Sequence, residues 1–341
     1  RLKVEVIRPS INNCFAEFKA ETNKIFYGLG AIKSVGFEAI SNIINEREKN
    51  GNFKSFLDFI NRVNPKDVNK LQLEGMVKAG AFDEIDPNRK KLLISIPKII
   101  STIKSKYDEK ISKQNNLFDT DNFKENEDFE FETSDEWTSK ELLAEEFKSL
   151  GFYISSHPLN EYKEFFAQLE IDSYKDFINS DKSEALVAGT IMSIQEKKSI
   201  KGTSFAIVKF SDNHSEFEIF LFSDLLISNR EKLKESNSFV LTLQKEKAST
   251  ENAQRRINIR KLVDLSDLVN KTYESVSIEL SDKKMLKELN ELLNTSGHTK
   301  INVVLKDNNK NYKFELEQTR KFDFNLFSLI KNKEYVKKIS F

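Results

Sequence analysis

Apolar residues recur with helical spacing in the first half of the chain and with strand-like alternation beyond residue 183. The clearest helical pattern lies in Tyr27–Arg47, where a short apolar segment and a tight turn precede a run with one apolar face. That face consists of Ala39, Ile40, Ile43 and Ile44. The run meets a helix-ending signal at Asn50-Gly51, so the pattern predicts a helix that begins directly after the turn.

The turn before this helix has the composition of a phosphate-binding loop. Val35 stands between Ser34 and Gly36 and can bury its side chain, while Lys33 places a positive charge beside the turn. We expect Gly36 to supply a positive φ or a close backbone approach. Backbone N–H groups at the helix start would then face a phosphate, as in a helix-hairpin-helix that holds nucleic-acid backbone without reading bases. The alternative is an ordinary packing corner between helices.

A second turn of the same type, centred on Gly80, lies 44 residues after Gly36. Its four residues are Lys78, Ala79, Gly80 and Ala81, and predicted helices flank it on both sides. Paired hairpins can hold both strands of a duplex through their phosphates. The helices predicted in this region are Phe56–Arg62 with Ser55 as its cap, Lys66–Val77, and a helix that starts at Asp86-Pro87 and runs toward Tyr107.

Charge is distributed unevenly, although 54 basic and 54 acidic residues give a formal net charge of +0. Up to Lys106 there are 19 basic and 12 acidic residues, whereas Tyr107–Trp137 carries 11 acidic and 3 basic ones. A basic domain followed by an acidic connector is therefore predicted. The single Cys14 excludes a disulfide framework and a cysteine-based zinc site. Without an apolar run of membrane length or a signal peptide, we expect a cytoplasmic protein, and the strand pattern directly after Arg1 suggests a fragment of a longer one.

The acidic stretch 108–137 has little periodic apolar content, which is typical of a linker. It nevertheless contains Leu117 and Phe118, an apolar pair that has no core to join. Together with Gln114, which can hydrogen-bond a partner, the pair is suited to plug a pocket on another protein. The alternative is that these apolar residues stand in a disordered stretch by chance.

Five strand-like segments follow residue 183, with a predicted helix, Asp224–Lys234, between the third and the fourth. This is the element order of an OB-fold β-barrel. Phe205, Lys209 and Phe220 face outward in the predicted register, where they can stack on and pair with single-stranded nucleic acid. A slip of one residue would turn Phe205 and Phe220 into the core. The segments are Ala185–Gln195, Thr203–Phe210, Glu216–Phe222, Ser238–Leu243 and Arg256–Leu262.

The last part of the chain predicts a small α+β domain with no catalytic constellation. Its predicted elements are a strand over Glu274–Leu280, a helix over Lys284–Leu293, strands over Lys300–Leu305 and Tyr312–Leu316, and a helix around Asn325–Ile330. The chain as a whole is predicted to be a multidomain α+β protein. Its predicted parts are 1–26, a tandem helix-hairpin-helix domain over 27–107, the acidic linker 108–137, a helical connector 138–182, the OB-fold 183–266 and the terminal domain 267–341.

Four phrases occur together in a characteristic order. They are YGLGAIKSVG (Tyr27–Gly36), LEGMVKAGAFD (Leu73–Asp83), SLGFYISSHPLNEY (Ser149–Tyr162) and the strand series AGTI, GTSFAIVKFSD and FEIFLF. In these phrases the chain resembles the C-terminal half of the alpha subunits of bacterial DNA polymerase III. The resemblance covers essentially the whole chain, is specific in the first two thirds, and is weak beyond about Asp264.

The resemblance implies a role for each part of the chain. Residues 1–26 would end the fingers region, and the tandem hairpins would bind duplex DNA, although Ser34 stands where such turns often carry a glycine. Gln114, Leu117 and Phe118 match the QxxLF pattern that binds the sliding clamp, the beta subunit. The barrel would contact single-stranded template weakly, and the terminal domain would contact the clamp-loader tau subunit. The palm and its Mg²⁺-binding carboxylates would lie upstream, so we expect no cofactor and no polymerase activity in this chain alone.

Two other functions stay open at the level of the sequence. The same modules could form a stand-alone nucleic-acid-binding adaptor, and an upstream reading frame with palm carboxylates would decide against it. The chain could also belong to the error-prone relative of this polymerase, although the clamp motif and the long terminal domain argue against that assignment.

Overall fold

The computed structural model describes residues 4–115, 129–246, 256–307 and 310–341. The chain forms two compact units, Arg1–His157 and Pro158–Phe341. The division falls inside the predicted helical connector 138–182, because the first helix of that stretch contributes Leu150 to the core of the first unit.

The first unit opens with a three-stranded sheet. Its strands are Glu5–Ile7 (β1), Lys19–Glu21 (β2) and Lys24–Phe26 (β3), in the order β1-β3-β2. β1 runs parallel to β3, and β2 and β3 form an antiparallel hairpin. The strand pattern directly after Arg1 predicted β1.

Five helices follow in the described part of the first unit, and local capping determines where they begin. They are Phe37–Asn50 (α1), Phe56–Arg62 (α2), Lys70–Lys78 (α3), Arg89–Asn115 (α4) and Ser139–Leu150 (α5). The Ser55 hydroxyl accepts a hydrogen bond from the amide of Asp58 at 3.1 Å, as the predicted cap requires. α1 ends before Gly51, as predicted.

Two predicted helix starts are wrong, each for a reason that lies in the capping. α3 begins at Lys70 and not at Lys66, because Asn69 and Gln72 form a reciprocal capping box. α4 begins at Arg89 and not at Pro87. At this helix start, the side chain of Asn88 accepts a hydrogen bond from the amide of Lys91 at 2.9 Å and so acts as the N-cap.

The core of the first unit is built around phenylalanines from several elements. Phe59 and Phe82 are 0% and 1% exposed, and their ring centroids lie 5.0 Å apart. α4 completes this core with one apolar stripe at helical spacing, formed by Leu92, Ile96, Ile99 and Ile103. This stripe accounts for the position of α4 in the unit.

The second half of the predicted acidic linker is packed and not free. Phe131 lies 5.9 Å from Phe56 between ring centroids, and Phe129 packs against the same core. The amide of Glu132 donates to the hydroxyl of Ser95 in α4 at 3.0 Å. The linker prediction is wrong for this part, because two aromatic residues at a spacing of two bury against the helix even though their neighbours are acidic.

The second unit begins with two short helices, Lys163–Gln168 (α6) and Tyr174–Asn179 (α7), and continues into a five-stranded antiparallel sheet. A helix, Ser223–Asn229 (α8), lies between the third and fourth of these strands, as predicted. The strands follow the order β6-β5-β4-β7-β8. They are Glu184–Lys198 (β4), Ser204–Ser211 (β5), Glu216–Phe222 (β6), Ser238–Lys245 (β7) and Ile257–Asp264 (β8).

This sheet differs from the predicted barrel in one respect. Cα atoms of the edge strands β6 and β8 approach within 8 Å, but no ladder pairs these strands in the part of the chain that the structure describes. A closed barrel requires its last strands to exchange ladder hydrogen bonds. The observed element is therefore an open five-stranded sheet, and the OB-fold stays a prediction.

A second sheet forms the C-terminal part of this unit, after the short helix Leu265–Val269 (α9). Its strands follow the order β11-β10-β9-β12, with β9 and β10 parallel and the other pairs antiparallel. The last strand was not predicted, because two lysines separate its only buried residues, Val336 and Ile339. The elements are Ser275–Leu280 (β9), Leu286–Leu292 (α10), Ser296–Asp307 (β10), Lys310–Glu315 (β11), Phe324–Lys331 (α11) and Val336–Ser340 (β12).

Candidate nucleic-acid interface

The first predicted turn presents a charged, exposed surface ahead of α1. The side chains of Lys33 and Ser34 are exposed, whereas Val35 is 8% exposed and anchors the turn as predicted. Ser34, and not Gly36, adopts a positive φ, of 67°. Gly36 has φ −79° and is the N-cap of α1, so the positive φ predicted for Gly36 is wrong. The residue with positive φ in this turn therefore lies two positions earlier than predicted.

Backbone donors in this turn divide into two groups. The amide of Lys33 donates to the carbonyl of Ser149 at 3.0 Å, and that of Val35 donates to Ile32 at 3.1 Å. No hydrogen bond from the amides of Ser34 or Gly36 is found among the described residues. These two amides, together with the positive charge of Lys33, are therefore the groups that can receive an anion at the start of α1.

The path of the first turn depends on a glycine in α3. A Cβ on Gly75 would lie 2.7 Å from the carbonyl oxygen of Lys33 and 3.3 Å from Cγ2 of Val35. The 2.7 Å contact is shorter than a side-chain carbon atom tolerates, and the 3.3 Å contact is tight. The absence of a side chain at Gly75 therefore lets α3 pack directly beneath the turn.

The second predicted turn closes α3 with a Schellman motif. Gly80 has φ 80°, the amide of Ala81 donates to Met76 at 2.9 Å, and that of Gly80 donates to Val77 at 3.0 Å. Ala79 and Ala81 are 2% and 1% exposed. The predicted glycine conformation is thus present here, but both alanines point into the core.

The cations around this second turn already have acidic partners. The ammonium group of Lys78 lies 3.1 Å from Glu145 of α5. Arg89, 6% exposed, binds both oxygens of Asp83 at 2.8 and 2.6 Å and donates to the carbonyl of Lys78 at 2.9 Å. Its guanidinium also lies 3.7 Å from the fully buried Glu146. The structure therefore compensates both positive charges within the protein.

Helix α5 is the element that joins the two turns, and the sequence pattern did not reveal this role. Its Glu145 and Glu146 reach the cations of the second turn, while the carbonyl of Ser149 receives the amide of Lys33 in the first. Burial alone would raise the pKa of Glu145, but hydrogen bonds from Lys148 and Lys78 lower it below the usual value. The sequence feature that could have indicated this role is the adjacent acidic pair Glu145 and Glu146 in α5.

The predicted single-strand residues lie on the outward face of the five-stranded sheet. Ala206, Val208 and Phe210 are buried, so the alternating Phe205 and Lys209 face outward as predicted. Phe220 is 49% exposed, and its ring centroid lies 6.3 Å from that of Phe205 at an interplanar angle of 29°. The ammonium of Lys209 is held by Glu216 at 2.5 Å. The structure brings the two rings together but directs the lysine to a neighbouring carboxylate.

These rings line a groove of about 1510 Å³ in the second unit. The groove lies along β5 and β6 and extends to the end of α7 and the start of β8. Phe222, which was not predicted, is 61% exposed and lies directly opposite Phe205 in the strand register. Three phenylalanine rings therefore share this surface.

Comparisons with known proteins agree with this geometry. The family model described as a helix-hairpin-helix motif matches residues 3–92, which include both turns. A DNA polymerase III subunit alpha from Borreliella burgdorferi is 31% identical over 335 residues, which cover 94% of this chain and 29% of that protein. The chain belongs to the family of DNA polymerase III alpha subunits.

Two other alpha subunits show the same relationship. The one from Buchnera aphidicola is 30% identical over 321 residues, or 90% of this chain and 27% of that protein. The one from Helicobacter pylori is 35% identical over 246 residues, or 66% of this chain and 20% of that protein. The chain thus spans less than a third of the length of these alpha subunits.

The predicted clamp motif begins at the end of the described range 4–115. Gln114 belongs to the last turn of α4, while Leu117 and Phe118 lie outside the described residues. The chain is described again from Phe129, where the packed segment 129–134 runs antiparallel to α4. Lys98 of α4 donates to the carbonyl of Glu130 at 2.7 Å, and Asn88 donates to that of Ser134 at 3.0 Å.

The described residues lack two kinds of feature. In residues 4–115, 129–246, 256–307 and 310–341, no three histidine, cysteine or acidic side chains are grouped so that they could hold a metal ion. Over the same residues, no helix has both the length and the apolar content that crossing a membrane requires.

Proposed function

We propose that this chain is the DNA- and partner-binding part of a replicative DNA polymerase alpha subunit. The observation that carries the proposal is the tandem-hairpin region, which matches a helix-hairpin-helix family and lies within a chain related to alpha subunits over 94% of its length. The parent protein would be a DNA-directed DNA polymerase. Its Mg²⁺-dependent palm would lie elsewhere in the longer protein, so this chain alone would not polymerise DNA.

Duplex DNA is the proposed ligand of the hairpin region, held through phosphates with little sequence preference. The exposed Lys33, the amides of Ser34 and Gly36 and the start of α1 support an anion site at the first turn. The second turn, Lys78–Ala81, would position the first through α3 and α5, since its cations are already paired. We therefore assign most of the phosphate contact to the first turn.

The test is the salt dependence of duplex affinity. Each lost phosphate contact lowers the slope of log K against log salt by about one. Lys33→Ala should lower that slope by about one, and Lys78→Ala should lower it by less, because Glu145 already neutralises this lysine. Fluorescence anisotropy with two duplexes of different sequence measures both slopes. Equal slopes for native chain and Lys33→Ala, or strong discrimination between the duplexes, would contradict the proposal.

A weak single-strand contact is proposed for the groove of the five-stranded sheet. The order of strands and the place of α8 support an OB-type module, and the paired rings of Phe205 and Phe220 support base stacking. The contribution of Lys209 would be small while Glu216 holds it. Loss of both rings by substitution to alanine should weaken single-strand binding and leave duplex binding unchanged.

Two protein partners complete the proposal. The first partner is the sliding clamp, the beta subunit, which would bind Gln114, Leu117 and Phe118. This part of the proposal rests on the match of these residues to the QxxLF pattern. The second partner is the clamp-loader tau subunit, which would contact the terminal sheet of residues 275–340. This part of the proposal rests on the family resemblance. The alternative, a stand-alone nucleic-acid adaptor, would be favoured by a gene that encodes no palm carboxylates upstream of Arg1.

A further inference from the structure

The groove of the five-stranded sheet is more acidic than a phosphate-binding surface. Lys245, one of its basic residues, is 8% exposed, and its ammonium donates to the carbonyl of Ser180 at 2.5 Å. That charge is therefore directed inward. The charged residues that line the groove are Asp181, Glu218 and Glu246 against Lys245 and Arg256. A phosphate chain along the floor of this groove would be repelled.

Positive charge is concentrated at one rim of the groove. β4 and β5 continue as a paired hairpin to Lys198 and Ser204, and the groove is lined there by Ser199 and Thr203. The exposed tip of this hairpin carries Lys197, Lys198 and Lys201. This distribution orients a bound strand, with its phosphates toward the rim and its bases toward the floor.

The floor offers surfaces on which bases can stack. Phe220 and Phe222 are 49% and 61% exposed, and Phe205 lies opposite Phe222. Base stacking on aromatic side chains tolerates every base, because each base has a π face. Stacking on these rings therefore provides binding without a choice between bases.

One carboxylate beside these rings has no partner of its own. Glu218 lies on the same face of β6 as Phe220, two residues away, which corresponds to about 7 Å along a strand. Lys209 is its direct neighbour across the strands, but that ammonium is held by Glu216. The side chain of Glu218 makes no hydrogen bond or ion pair within the described residues. Its oxygens are available to a base stacked on Phe220.

We propose that Glu218 makes this groove prefer cytosine over thymine, an inference that rests on the proposed single-strand contact. An ionised carboxylate only accepts hydrogen bonds. Where the carboxylate meets position 4 of the pyrimidine ring, the N4 amino group of cytosine donates to it, whereas thymine presents the O4 acceptor there and has its donor only at N3. The stacked rings supply the affinity, and Glu218 supplies the choice of base.

The test compares single strands of cytosine and thymine, each about 15 nucleotides long, with the whole 341-residue chain at mildly alkaline pH. Fluorescence anisotropy should give about five- to tenfold tighter binding of the cytosine strand. Glu218→Gln should bring this ratio close to one, because an amide both donates and accepts. Asp181→Asn is the matched control, since it removes a carboxylate charge from the lining of the same groove and should tighten binding of both strands without changing their ratio.

The outcomes separate this inference from the function on which it rests. Equal affinity of the native chain for the two strands, or a ratio that Glu218→Gln leaves unchanged, overturns the role of Glu218. In that case weaker binding of both strands by Phe220→Ala would still support the single-strand contact. If neither strand binds, or if alanine at both Phe220 and Phe222 has no effect, the single-strand contact and the inference fall together.

Discussion

Gly80 shows how one residue supports the charge arrangement of the second turn. A Cβ at this position would lie 2.2 Å from Nη2 of Arg89 and 2.8 Å from Oδ2 of Asp83. The backbone also holds φ 80°, which L-residues with a side chain rarely adopt. The side-chain contacts and the backbone conformation thus both require glycine.

We predict that Gly80→Ala lowers the free energy of unfolding of the first unit by about 3 kcal/mol, because it adds the loss of the Arg89 contacts to the backbone penalty. Gly51→Ala is the matched control. Gly51 has φ 82° but nothing within 4 Å of its Cβ position, so only the backbone cost of about 1–2 kcal/mol applies. Urea unfolding followed by circular dichroism measures both, and equal losses would contradict the prediction.

At the scale of the element, α5 acts as a brace for both turns. The carbonyl of Ser149 in its last turn accepts a hydrogen bond from the amide of Lys33. Its adjacent glutamates, Glu145 and Glu146, form ion pairs with Lys78 and Arg89. Glu146 also accepts from the amides of Ile154 and Ser155 at 2.9 and 3.0 Å, which ties the chain after α5 to the helix. The arrangement makes α5 part of the hairpin domain and not a connector.

We predict a pH-dependent contribution from the pair of Lys78 and Glu145. The pKa of Glu145 is lower in the folded chain than its ordinary value of 4.5, so the pair stabilises the fold above that value. The stabilisation is lost as the pH falls through the lower, folded pKa. Glu145→Gln should therefore cost about 0.5–1 kcal/mol at neutral pH and progressively less below about pH 4.5.

A double-mutant cycle isolates this pair. Lys78→Met should lower stability in the native background and have a smaller effect in the Glu145→Gln background. Urea unfolding of the four proteins at neutral and at acidic pH measures the coupling. A coupling energy that stays constant as the pH falls would show that the pair is not the source of the stability.

At the scale of the whole molecule, the chain combines two compact units that would serve different ligands. The hairpin region in the first unit is the proposed site for duplex phosphates, and the grooved sheet in the second is the proposed site for unstacked bases. The proposed clamp motif adds a protein contact that neither core requires. Burial of Leu117 and Phe118 in a clamp pocket is worth about 1.5–3 kcal/mol each, before the cost of ordering the segment.

We predict that alanine at both Leu117 and Phe118 abolishes sliding-clamp binding and leaves thermal stability and duplex affinity nearly unchanged. Alanine at both Asn115 and Asn116, the two variable positions of the pattern, is the matched control and should keep clamp binding. Surface plasmon resonance with purified clamp measures the interaction. Unfolding of the double variant would place the two residues in a core, and normal clamp binding would show that the motif matched by chance.

The sequence alone was sufficient for features that depend on local periodicity. The helical face of α1, the Ser55 cap and the outward register of Phe205 and Phe220 follow from the spacing of apolar residues, because that spacing reflects which side of an element meets a core. The order of the five strands around α8 follows for the same reason. The resemblance to alpha subunits rests on these same stretches.

Only the tertiary structure decided which charges and backbone groups remain available. Lys78 is paired by Glu145, 67 residues later, and Lys209 is held across the sheet by Glu216. α3 packs beneath the first turn, and the positive φ there falls on Ser34 instead of Gly36. Local patterns carry no information about such partners, because the partners meet only when distant segments pack. The sequence therefore predicted the modules, whereas packing determined which of their groups can bind.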